Sequence, residues 1–244
     1  MNAQLALSVV VPAHNERDNV APLLLEIEAA LEPLNISWEA LFVDDASEDD
    51  TLAVLRSLRS GHKRLRVLRH HRLSGQSTAV RNGVKAARGR WIATLDGDGQ
   101  NDPADIPKLL AARDSSPDEF KLFAGWRTTR RDSLSKRASS RIANGIRGFL
   151  LKDATPDTGC GIKLIEREVF LDLPYFDHMH RFLPALVRRA GFSVQSVPVN
   201  HRPRMRGVSK YGLWNRLWVG IVDLAGVAWL RRRAKPTATS EEGV

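Results

Sequence analysis

Cysteine is nearly absent from this sequence, and so are the marks of a secreted protein. Its 244 residues include a single cysteine, Cys160, which excludes an internal disulfide and a cysteine-cluster metal site. We expect Cys160 to be a small buried hydrophobe, and this cysteine usage fits a reducing compartment. The amino terminus lacks a basic region followed by an apolar stretch and a small-residue cleavage site, so we predict no secretion signal.

The composition also lacks the extremes of disordered and multispan membrane proteins. Hydrophobic residues make up 43% and charged residues 27% of the chain, near the average of globular proteins. Lysine and arginine outnumber aspartate and glutamate by 37 to 28, for a formal net charge of +9. This excess favours nucleic acid, anionic lipid or phosphorylated substrates as partners and does not distinguish among them. The length predicts one compact domain with appendages.

Short apolar segments alternate with segments of helical periodicity in the amino-terminal part. The alternation predicts an α/β fold, in which a mostly parallel sheet is flanked by helices on both faces. The predicted strands are residues 5–11, 38–43, 65–68 and 91–95. The first two helices are predicted from two apolar stripes, Leu23, Leu24, Ile27 and Leu31 in one and Leu52, Leu55 and Leu58 in the other, and a third helix is expected at residues 77–87.

The remainder of the chain is less regular. A short helix after Pro103 is followed by predicted strands at residues 121–126 and 193–199, with a strongly basic segment between them. An apolar segment covers residues 211–230, and a polar tail without apolar periodicity follows. We therefore expect the later residues to extend the first domain and the tail to be disordered.

Polar residues follow each predicted strand, where the loops of a parallel sheet converge on ligands. Asp96 and Asp98 lie one residue apart in a glycine-containing turn, which lets both carboxylates approach one cation. Gln100 adds a neutral oxygen, and Asn101 or Asp102 would orient the ligands. A divalent metal held there would offset charge on a departing diphosphate. The alternative is a polar turn in which Asp102 caps the helix that begins at Pro103.

The loops after the first two strands carry further acidic and amide side chains. Asp44 and Asp45 are suited to accept hydrogen bonds from a nucleobase or from ribose hydroxyls. Glu16 would face the nucleoside, and Asn15 is either a ligand or a cap. The alternative for both aspartates is to close the turn before a helix near Asp49.

An ordered set of motifs extends over most of the chain. The set comprises Val9-Val10-Val11-Pro12-Ala13-His14-Asn15-Glu16, Val43-Asp44-Asp45-Ala46-Ser47-Glu48-Asp49-Asp50-Thr51, Gly75-Gln76, Asp96-Gly97-Asp98-Gly99-Gln100-Asn101-Asp102-Pro103 and Arg206-Gly207-Val208-Ser209-Lys210-Tyr211. It resembles glycosyltransferase family 2, and within it the polyprenyl-phosphate sugar transferases of the dolichol-phosphate mannosyltransferase type. The resemblance implies a GT-A fold, a nucleotide-sugar donor, Mg or Mn as cofactor, and inversion at the anomeric carbon.

The resemblance also implies roles for individual residues. It implies that Pro12, Asn15, Glu16 and Asp45 contact the nucleoside and that Asp96, Asp98 and Gln100 bind the metal. We expect Asp44, Gln76 and Asp96 to complete the donor contacts. Arg206 and Lys210 belong to a basic group, with Arg202 and Ser209, that would clamp the donor diphosphate as a mobile loop. This chain departs from the usual pattern at Gly97 and Gly99, where the subgroup has larger residues, and the two glycines are expected to make the turn more flexible.

The acceptor side depends on arginines. Arg127 directly follows a predicted strand, where its guanidinium would grip a phosphate in bidentate fashion, and the resemblance adds Arg137 and Arg141. A solvated helix face and a nucleic-acid patch are the alternatives for this basic segment. Asp157 resembles a proposed base, but a phosphate monoester has its second pKa at about 6 and needs less help than an alcohol. Asp157 is therefore either the base or a group that positions the arginines.

Two groups of residues have plainer interpretations. The histidines at positions 178, 180 and 201 lack a zinc-ligand pattern and are expected to be structural or exposed. The segment at 211–230 is interrupted by Asn215, Arg216 and Asp223, which indicates an amphipathic helix at a membrane interface rather than a spanning one. A buried or subunit-packing helix is the alternative, and a homo-oligomer is left open.

The motifs divide the chain into functional regions. We expect a catalytic domain at residues 1–210, with a nucleotide-binding half at about 5–103 and an acceptor half at about 104–210, then an amphipathic helix at 211–233 and a tail at 234–244. The predicted reaction transfers a hexose, mannose-like or glucose-like, from a GDP- or UDP-sugar to a polyprenyl phosphate. Asp98, Asp157 and Arg127 would be the catalytic residues, at the cytoplasmic face of a membrane.

Two other functions fit parts of the sequence. A family 2 enzyme that extends a glycan or oligosaccharide would share the donor motifs and depend little on the helix at 211–230. A non-catalytic nucleic-acid-binding protein would explain the charge alone, and we do not expect nucleic acid as a partner. It predicts steep salt dependence of binding and no effect of Asp98→Ala.

Overall fold

A computed structural model describes residues 4–128 and 155–200, residues 148, 150, 151 and 202, and residues 213–235, of which 213–219 are described in their backbone alone. A seven-stranded sheet is its main feature, with strand order β3-β2-β1-β4-β6-β5-β7. All neighbouring pairs are parallel except the two that β6 makes with β4 and β5. The strands are β1 Leu5–Ala13, β2 Trp38–Asp44, β3 Leu65–Arg69, β4 Gly89–Thr94, β5 Phe120–Arg127, β6 Lys163–Glu166 and β7 Ser193–Val199.

Helices cover both faces of this sheet. On one face α1, α2 and α4 pack over Val9, Val11 and Phe42, and on the other α3, α5 and α6 pack over Val10 and Leu41, joined by the last helix, α7. The helices are α1 Arg17–Leu31, α2 Thr51–Leu58, α3 Gln76–Ala86, α4 Ile106–Asp114, α5 Arg167–Asp172, α6 Leu183–Arg189 and α7 Leu213–Arg233, with short 3-10 turns at Glu32–Leu34, Pro103–Asp105 and Met179–Arg181. The predicted mostly parallel α/β architecture is confirmed.

The amino-terminal strands form because their residues can be buried on both faces. All seven residues of β2 are buried, as expected for a continuous apolar strand between two helical layers. The stripe predicted for α1 is buried in full. In α2, Leu55 is buried, whereas Leu52 and Leu58 are only partly buried and Thr51 completes the buried face.

Three described elements were not predicted from the sequence: β6, α5 and α6. Strand β6 enters the sheet between β4 and β5 and is antiparallel to both. It is four residues long and includes a lysine and a glutamate, so it lacks the apolar run that predicted the other strands. No helix in the described part of the chain is long and apolar enough to cross a membrane. The tail predicted from residue 234 lies outside the described residues after Lys235.

Candidate active site

The turn after β4 is held by its own side chains. Asn101 Oδ1 accepts a hydrogen bond of 3.0 Å from the backbone N–H of Asp96, and Asp98 Oδ1 accepts one of 3.1 Å from Gln100. Asp102 caps the 3-10 turn through a 3.0 Å hydrogen bond from Ala104 N. The capping role predicted for Asp102 is thus confirmed. The same turn directs Asp96 and Asp98 to the carboxyl edge of the sheet.

Two glycines allow this turn to pack closely. A Cβ on Gly97 would stand 2.7 Å from the carbonyl oxygen of Pro12, and a Cβ on Gly161 would overlap the Asp96 carboxylate and stand 2.5 Å from Asn101 Oδ1. Gly99 has φ +72° and open space around it. Gly97 is therefore required by close packing, which corrects the expectation that it loosens the turn; Gly99 alone adopts a glycine-favouring conformation.

Asp96 lies among several charges. Gln76 Nε2 donates a 2.7 Å hydrogen bond to Asp96 Oδ1. Burial, followed by the charge of Asp98, raises the pKa of Asp96, and Lys163 and Arg127 act in the opposite direction. The two carboxylates are thus close enough to repel each other, the situation that a divalent cation relieves.

The donor atoms of the turn fit Mg or Mn. Carboxylate and amide oxygens from Asp96, Asp98 and Gln100 are hard ligands of the kind Mg prefers, with phosphate oxygens completing the shell. Among the described residues, no group of three or more His, Cys, Asp or Glu side chains forms a metal site. If Asp96, Asp98 and Gln100 hold a cation, they would supply two carboxylates and an amide, and other ligands would complete its shell.

The loop after β1 is fastened to the loop after β2. His14 Nδ1 lies 2.9 Å from the carbonyl oxygen of Asp45, and Asn15 Oδ1 accepts a 2.8 Å hydrogen bond from Glu48 N. Glu16 N donates to Thr51 Oγ1 at 2.9 Å. Asn15 has φ +55°, a conformation that asparagine tolerates better than most residues. The two loops form one platform at the carboxyl edge of the sheet, so Asn15 holds this platform.

Asp44 and Asp45 have opposite environments. Both Asp45 oxygens accept hydrogen bonds, from His70 Nδ1 at 2.7 Å, Ser74 N at 2.9 Å and Gly75 N at 2.7 Å. Asp44 is fully buried, and no described residue donates a hydrogen bond to either of its oxygens. Asp45 therefore joins the loop before α3 to β2, whereas the Asp44 carboxylate suits a ligand donor.

Arg127 and Asp157 form a bidentate ion pair. Arg127 Nε and Nη2 donate to the two Asp157 oxygens at 2.6 and 2.9 Å, and the Arg127 backbone N–H adds a 3.3 Å bond. Burial alone would lower the pKa of Arg127, but the hydrogen bonds and charge of Asp157 outweigh it and the pKa is raised. Arg127 thus keeps its charge while Asp157 fixes its orientation.

Sequence reasoning missed two residues beside this pair. Lys163 on β6 lies opposite Thr94 of β4 and is 3% exposed, and its Nζ donates to the carbonyl oxygen of buried Cys160. Burial lowers the pKa of Lys163, against the opposing charges of Cys160, Asp96 and Asp157. The available signal was a lysine between the apolar residues Ile162 and Leu164, because buried lysines are rare. The other missed residue, Gly161, carried no signal beyond its place between Cys160 and Ile162. The burial expected for Cys160 is confirmed.

The remaining predicted residues divide into two groups. Arg202 bonds to Glu26 and Asp102, each at 2.7 Å, and so braces the turn after β4. The donor clamp formed by Arg206 and Lys210 and the acceptor arginines Arg137 and Arg141 lie outside the described residues. Their roles stay predictions.

The fold and the site together define an α/β protein with an acidic turn at the carboxyl edge of its sheet, beside a buried arginine. At the same edge, hydrogen bonds join the loops after β1 and β2. The profile of the family described as Glycosyl transferase family 2 matches residues 8–173. The chain belongs to glycosyltransferase family 2.

Similar proteins come from several bacteria. The chain is 38% identical over 238 residues to a dodecaprenyl-phosphate galacturonate synthase of Rhizobium johnstonii, covering 95% of this chain and 69% of that protein. It is 32% identical over 209 residues to an undecaprenyl-phosphate 4-deoxy-4-formamido-L-arabinose transferase of Edwardsiella ictaluri, covering 85% of this chain and 63% of that protein. The chain thus spans about two thirds of the length of these relatives. Within its family it is close to the polyprenyl-phosphate glycosyltransferases, as the sequence predicted.

A solved structure supports the fold. Glucosyl-3-phosphoglycerate synthase from Mycobacterium tuberculosis, in complex with Mn²⁺, UDP and glucosyl-3-phosphoglycerate, superposes with a TM-score of 0.68 at 17% identity, covering 93% of this chain and 80% of that one. At this identity the likeness concerns the fold alone. It supports the predicted GT-A architecture.

Proposed function

We propose that this chain transfers a sugar, with inversion, from a nucleoside diphosphate sugar to the phosphate of a polyprenyl carrier, with Mg or Mn as cofactor. The proposal joins the acidic turn at Asp96 and Asp98 to the acceptor arginine, Arg127. Membership of glycosyltransferase family 2 and the two relatives named for prenyl-phosphate products support it.

The donor half depends on groups at the carboxyl edge of the sheet. The buried Asp44 carboxylate would accept a hydrogen bond from the ring N–H of a uracil or guanine base. Pro12, Asn15, Glu16 and Asp45 shape or line the same platform, and Gln76 orients Asp96. A cation bound by Asp96, Asp98 and Gln100 would offset negative charge on the departing diphosphate.

The acceptor half of the proposal depends on Arg127, which would bind the acceptor phosphate. Its side chain is largely buried and paired with Asp157, and its charge acts on Asp96. A guanidinium has five N–H donors, and the bidentate pair with Asp157 uses those of Nε and Nη2, so the other edge suits phosphate oxygens. The proposal mainly depends on one observation: Asp157 holds Arg127 in a fixed orientation, and the charge of Arg127 acts on Asp96 in the acidic turn. Arg137 and Arg141 would add positive charge to the same phosphate.

Asp157 acts in this proposal through Arg127. Both of its oxygens are occupied by the guanidinium, and a phosphate acceptor is already largely a dianion at neutral pH. We expect Asp157→Asn to raise the acceptor KM about 10-fold and to leave the shape of the pH–rate profile unchanged. A general base would give a different result, with kcat falling at saturating acceptor and one limb of the profile lost.

The last helix would hold the enzyme on an anionic membrane surface. One side of α7 packs on the domain through Leu224, Val227 and Ala228, whereas Val222 and Trp229 on the other side are 56% and 59% exposed. Basic residues follow at Arg232, Arg233 and Lys235, and they complement anionic headgroups. An exposed apolar side that ends in basic residues fits a lipid surface, where the polyprenyl acceptor resides.

The candidate donor sugars come from the sequence and from the names of the relatives. The sequence predicts a hexose, mannose-like or glucose-like, whereas the relatives are named for galacturonate and 4-deoxy-4-formamido-L-arabinose. The donor panel therefore comprises GDP-mannose, UDP-glucose, UDP-galacturonate and the UDP-linked formamido sugar.

The transfer assay uses radiolabelled donors, Mn²⁺ or Mg²⁺, and polyprenyl phosphate dispersed in detergent. We expect one donor to give a metal-dependent labelled lipid, and Arg127→Ala to lower kcat/KM at least about 100-fold. Arg90→Ala is the matched control, because Arg90 is an exposed arginine paired with Glu166 away from the site. Label that enters an oligosaccharide, with none in the lipid for any donor, would overturn the acceptor assignment in favour of a glycan-extending enzyme.

A further inference from the structure

The first two residues of α3 connect the acidic turn to His180, which lies 103 residues after Ser77 in the sequence. Gln76, the first residue of the helix, donates from Nε2 to Asp96 Oδ1 at 2.7 Å. Ser77, the next residue, has its Oγ 2.7 Å from Nδ1 of His180. Adjacent side chains on one helical turn therefore bind the metal-turn aspartate and an imidazole. His180 is thereby anchored to the residue that follows Gln76, the side chain that orients Asp96.

We assign the tautomer of His180 from the hydrogen bonds of Ser77. Ser77 Oγ already accepts a 3.3 Å hydrogen bond from the backbone N–H of His180. A hydroxyl can accept two hydrogen bonds but has one proton to give; Ser77 is 1% exposed, and among the described residues its hydroxyl contacts no other acceptor, so we assign that proton to the 2.7 Å bond with Nδ1. With Nδ1 accepting, the proton of a neutral imidazole resides on Nε2.

His180 is neutral over the physiological range. Burial lowers its pKa to about 3, and the positive charges of Lys163, Arg181 and His178 act in the same direction. A group of this kind is neither a cation that binds a phosphate nor a base that titrates near neutral pH. It is a neutral side chain with one fixed N–H donor.

The environment of His180 is polar on one side and apolar on the other. The neighbours Met179 and Phe182 are buried in the core beneath α3, which fixes the backbone. Lys163 affects the pKa of both Asp96 and His180, so both lie near this lysine, which stands opposite Thr94 where β4 ends and the antiparallel β6 begins. A sugar attached to a diphosphate at Asp96 would extend into this region.

We propose that His180 is a specificity-determining residue whose Nε2–H donates a hydrogen bond to an oxygen of the donor sugar. The inference rests on the proposed function and deepens it, since it assigns a contact to the sugar rather than to the nucleotide or the lipid. Ser77 is a positioning residue, because its hydroxyl keeps the proton on Nε2. This assignment revises the expectation that His180 is merely structural.

The test separates sugar contacts from nucleotide contacts. Dissociation constants are measured by calorimetry, with Mn²⁺ present, for UDP, UDP-galacturonate, UDP-glucose, GDP and GDP-mannose. In His180→Leu we expect the nucleotide sugar that the wild type prefers to bind about 5- to 10-fold more weakly, with its parent diphosphate unchanged within about twofold. His180→Gln should recover part of the loss, because a glutamine amide N–H reaches a similar position.

Two further measurements strengthen the test. Ser77→Ala leaves the imidazole in place but frees its tautomer, so we expect a loss intermediate between wild type and His180→Leu. The pH–rate profile of His180→Gln should keep the wild-type shape, because a neutral donor does not titrate there. Loss of a limb of the profile would show acid–base catalysis and contradict the proposal.

The measurements distinguish failure of the His180 sugar contact from failure of the proposed function. Equal loss of sugar and parent binding, or wild-type sugar binding in His180→Leu, would overturn the contact and leave the transferase function intact. If the wild type binds none of the five ligands, the proposed function fails and the contact fails with it. Melting temperatures of all variants identify any that are unfolded, and Ser77→Ala then provides the comparison.

Discussion

The two aspartates at the end of β2 differ in what their burial implies for stability. An unpaired polar group in the interior costs free energy, and a carboxylate costs more than an amide. Asp44 is in this position among the described residues, whereas Asp45 receives three hydrogen bonds. A buried carboxylate without a partner is a group that a ligand can satisfy, so we propose Asp44 rather than Asp45 as a direct contact of the donor.

This contrast predicts opposite effects of the same substitution at adjacent positions. Asp44→Asn should raise the free energy of unfolding of the ligand-free protein by about 1 kcal/mol or more and reduce the thermal shift caused by UDP or GDP. Asp45→Asn should lower the free energy of unfolding by about 1–3 kcal/mol, because an amide cannot accept all three bonds. Urea unfolding and nucleotide thermal shifts measure both. A destabilised Asp44→Asn would contradict this explanation.

Gly161 determines where Asp96 can lie. Because a Cβ at position 161 would overlap the Asp96 carboxylate, we expect Gly161→Ala to displace Asp96 and to lower kcat/KM at least about 10-fold, with a higher Mn²⁺ requirement. Gly61→Ala is the control, since the nearest atom to its Cβ, Leu58 O, is 4.0 Å away. A Gly161→Ala enzyme with wild-type metal dependence would show that Asp96 is not confined in this way.

Among the helices and strands, sequence patterns predicted the elements that are visible within one contiguous segment. The strands of the first four units were found within about two residues, because each is an apolar run followed by a helical stripe. Strand β6 was missed because Lys163 and Glu166 break its apolar pattern. Its pairing with β4 and β5 is a long-range contact that periodicity cannot report.

The site was predictable to a similar extent. Asp96, Asp98 and Asp44 follow strands, and the edge where parallel strands end brings them together without further information. The pairing of Arg127 with Asp157 and the approach of Gly161 to Asp96 depend on the segment that returns through β6. Such contacts between distant segments need three-dimensional packing, so the sequence could offer Asp157 as a group that positions the arginines but could not give the bidentate geometry with Arg127.

Helix α7 gives a prediction about membranes. Trp229→Ser removes a large exposed apolar side chain, and we expect several-fold weaker binding to vesicles of anionic phospholipid with an unchanged melting temperature. Leu25→Ser on α1 is the matched control, because Leu25 is 56% exposed and lies on another face of the domain. Vesicle co-sedimentation measures both. Equal binding of Trp229→Ser and wild type would contradict the membrane role of this helix.

For the whole molecule, the two edges of the sheet differ in how their buried polar groups are satisfied. Near the amino edge, Glu39 accepts hydrogen bonds from Ser8, Arg66 and the Arg88 backbone, each at 2.7 Å. At the carboxyl edge, Asp45 and Asp157 are likewise satisfied, but Asp44 lacks a hydrogen-bond partner among the described residues and Asp96 has a raised pKa. Saturated groups support the fold, and unsaturated ones mark the edge where ligands bind.

His180 makes this functional edge sensitive to acid. Its pKa falls from the ordinary 6.5 to about 3 in the folded chain, chiefly through burial, and the charges of Lys163, Arg181 and His178 add to the effect. Between these two values the unfolded chain binds a proton that the native protein does not, so stability rises with pH across this window. The contribution is present above the unfolded pKa and is lost as the pH falls through the window.

The difference in unfolding free energy between wild type and His180→Gln isolates this contribution, because other titrating groups are common to both proteins. We expect this difference, wild type minus variant, to fall by about 2–3 kcal/mol between about pH 7 and about pH 4.5, at about 1.4 kcal/mol per pH unit. Urea unfolding at several pH values provides the measurement. A difference that stays constant with pH would mean that His180 is protonated as readily in the native protein as in the unfolded chain. His180 would then be a cation in mildly acidic solution, which contradicts the neutral state assigned to it.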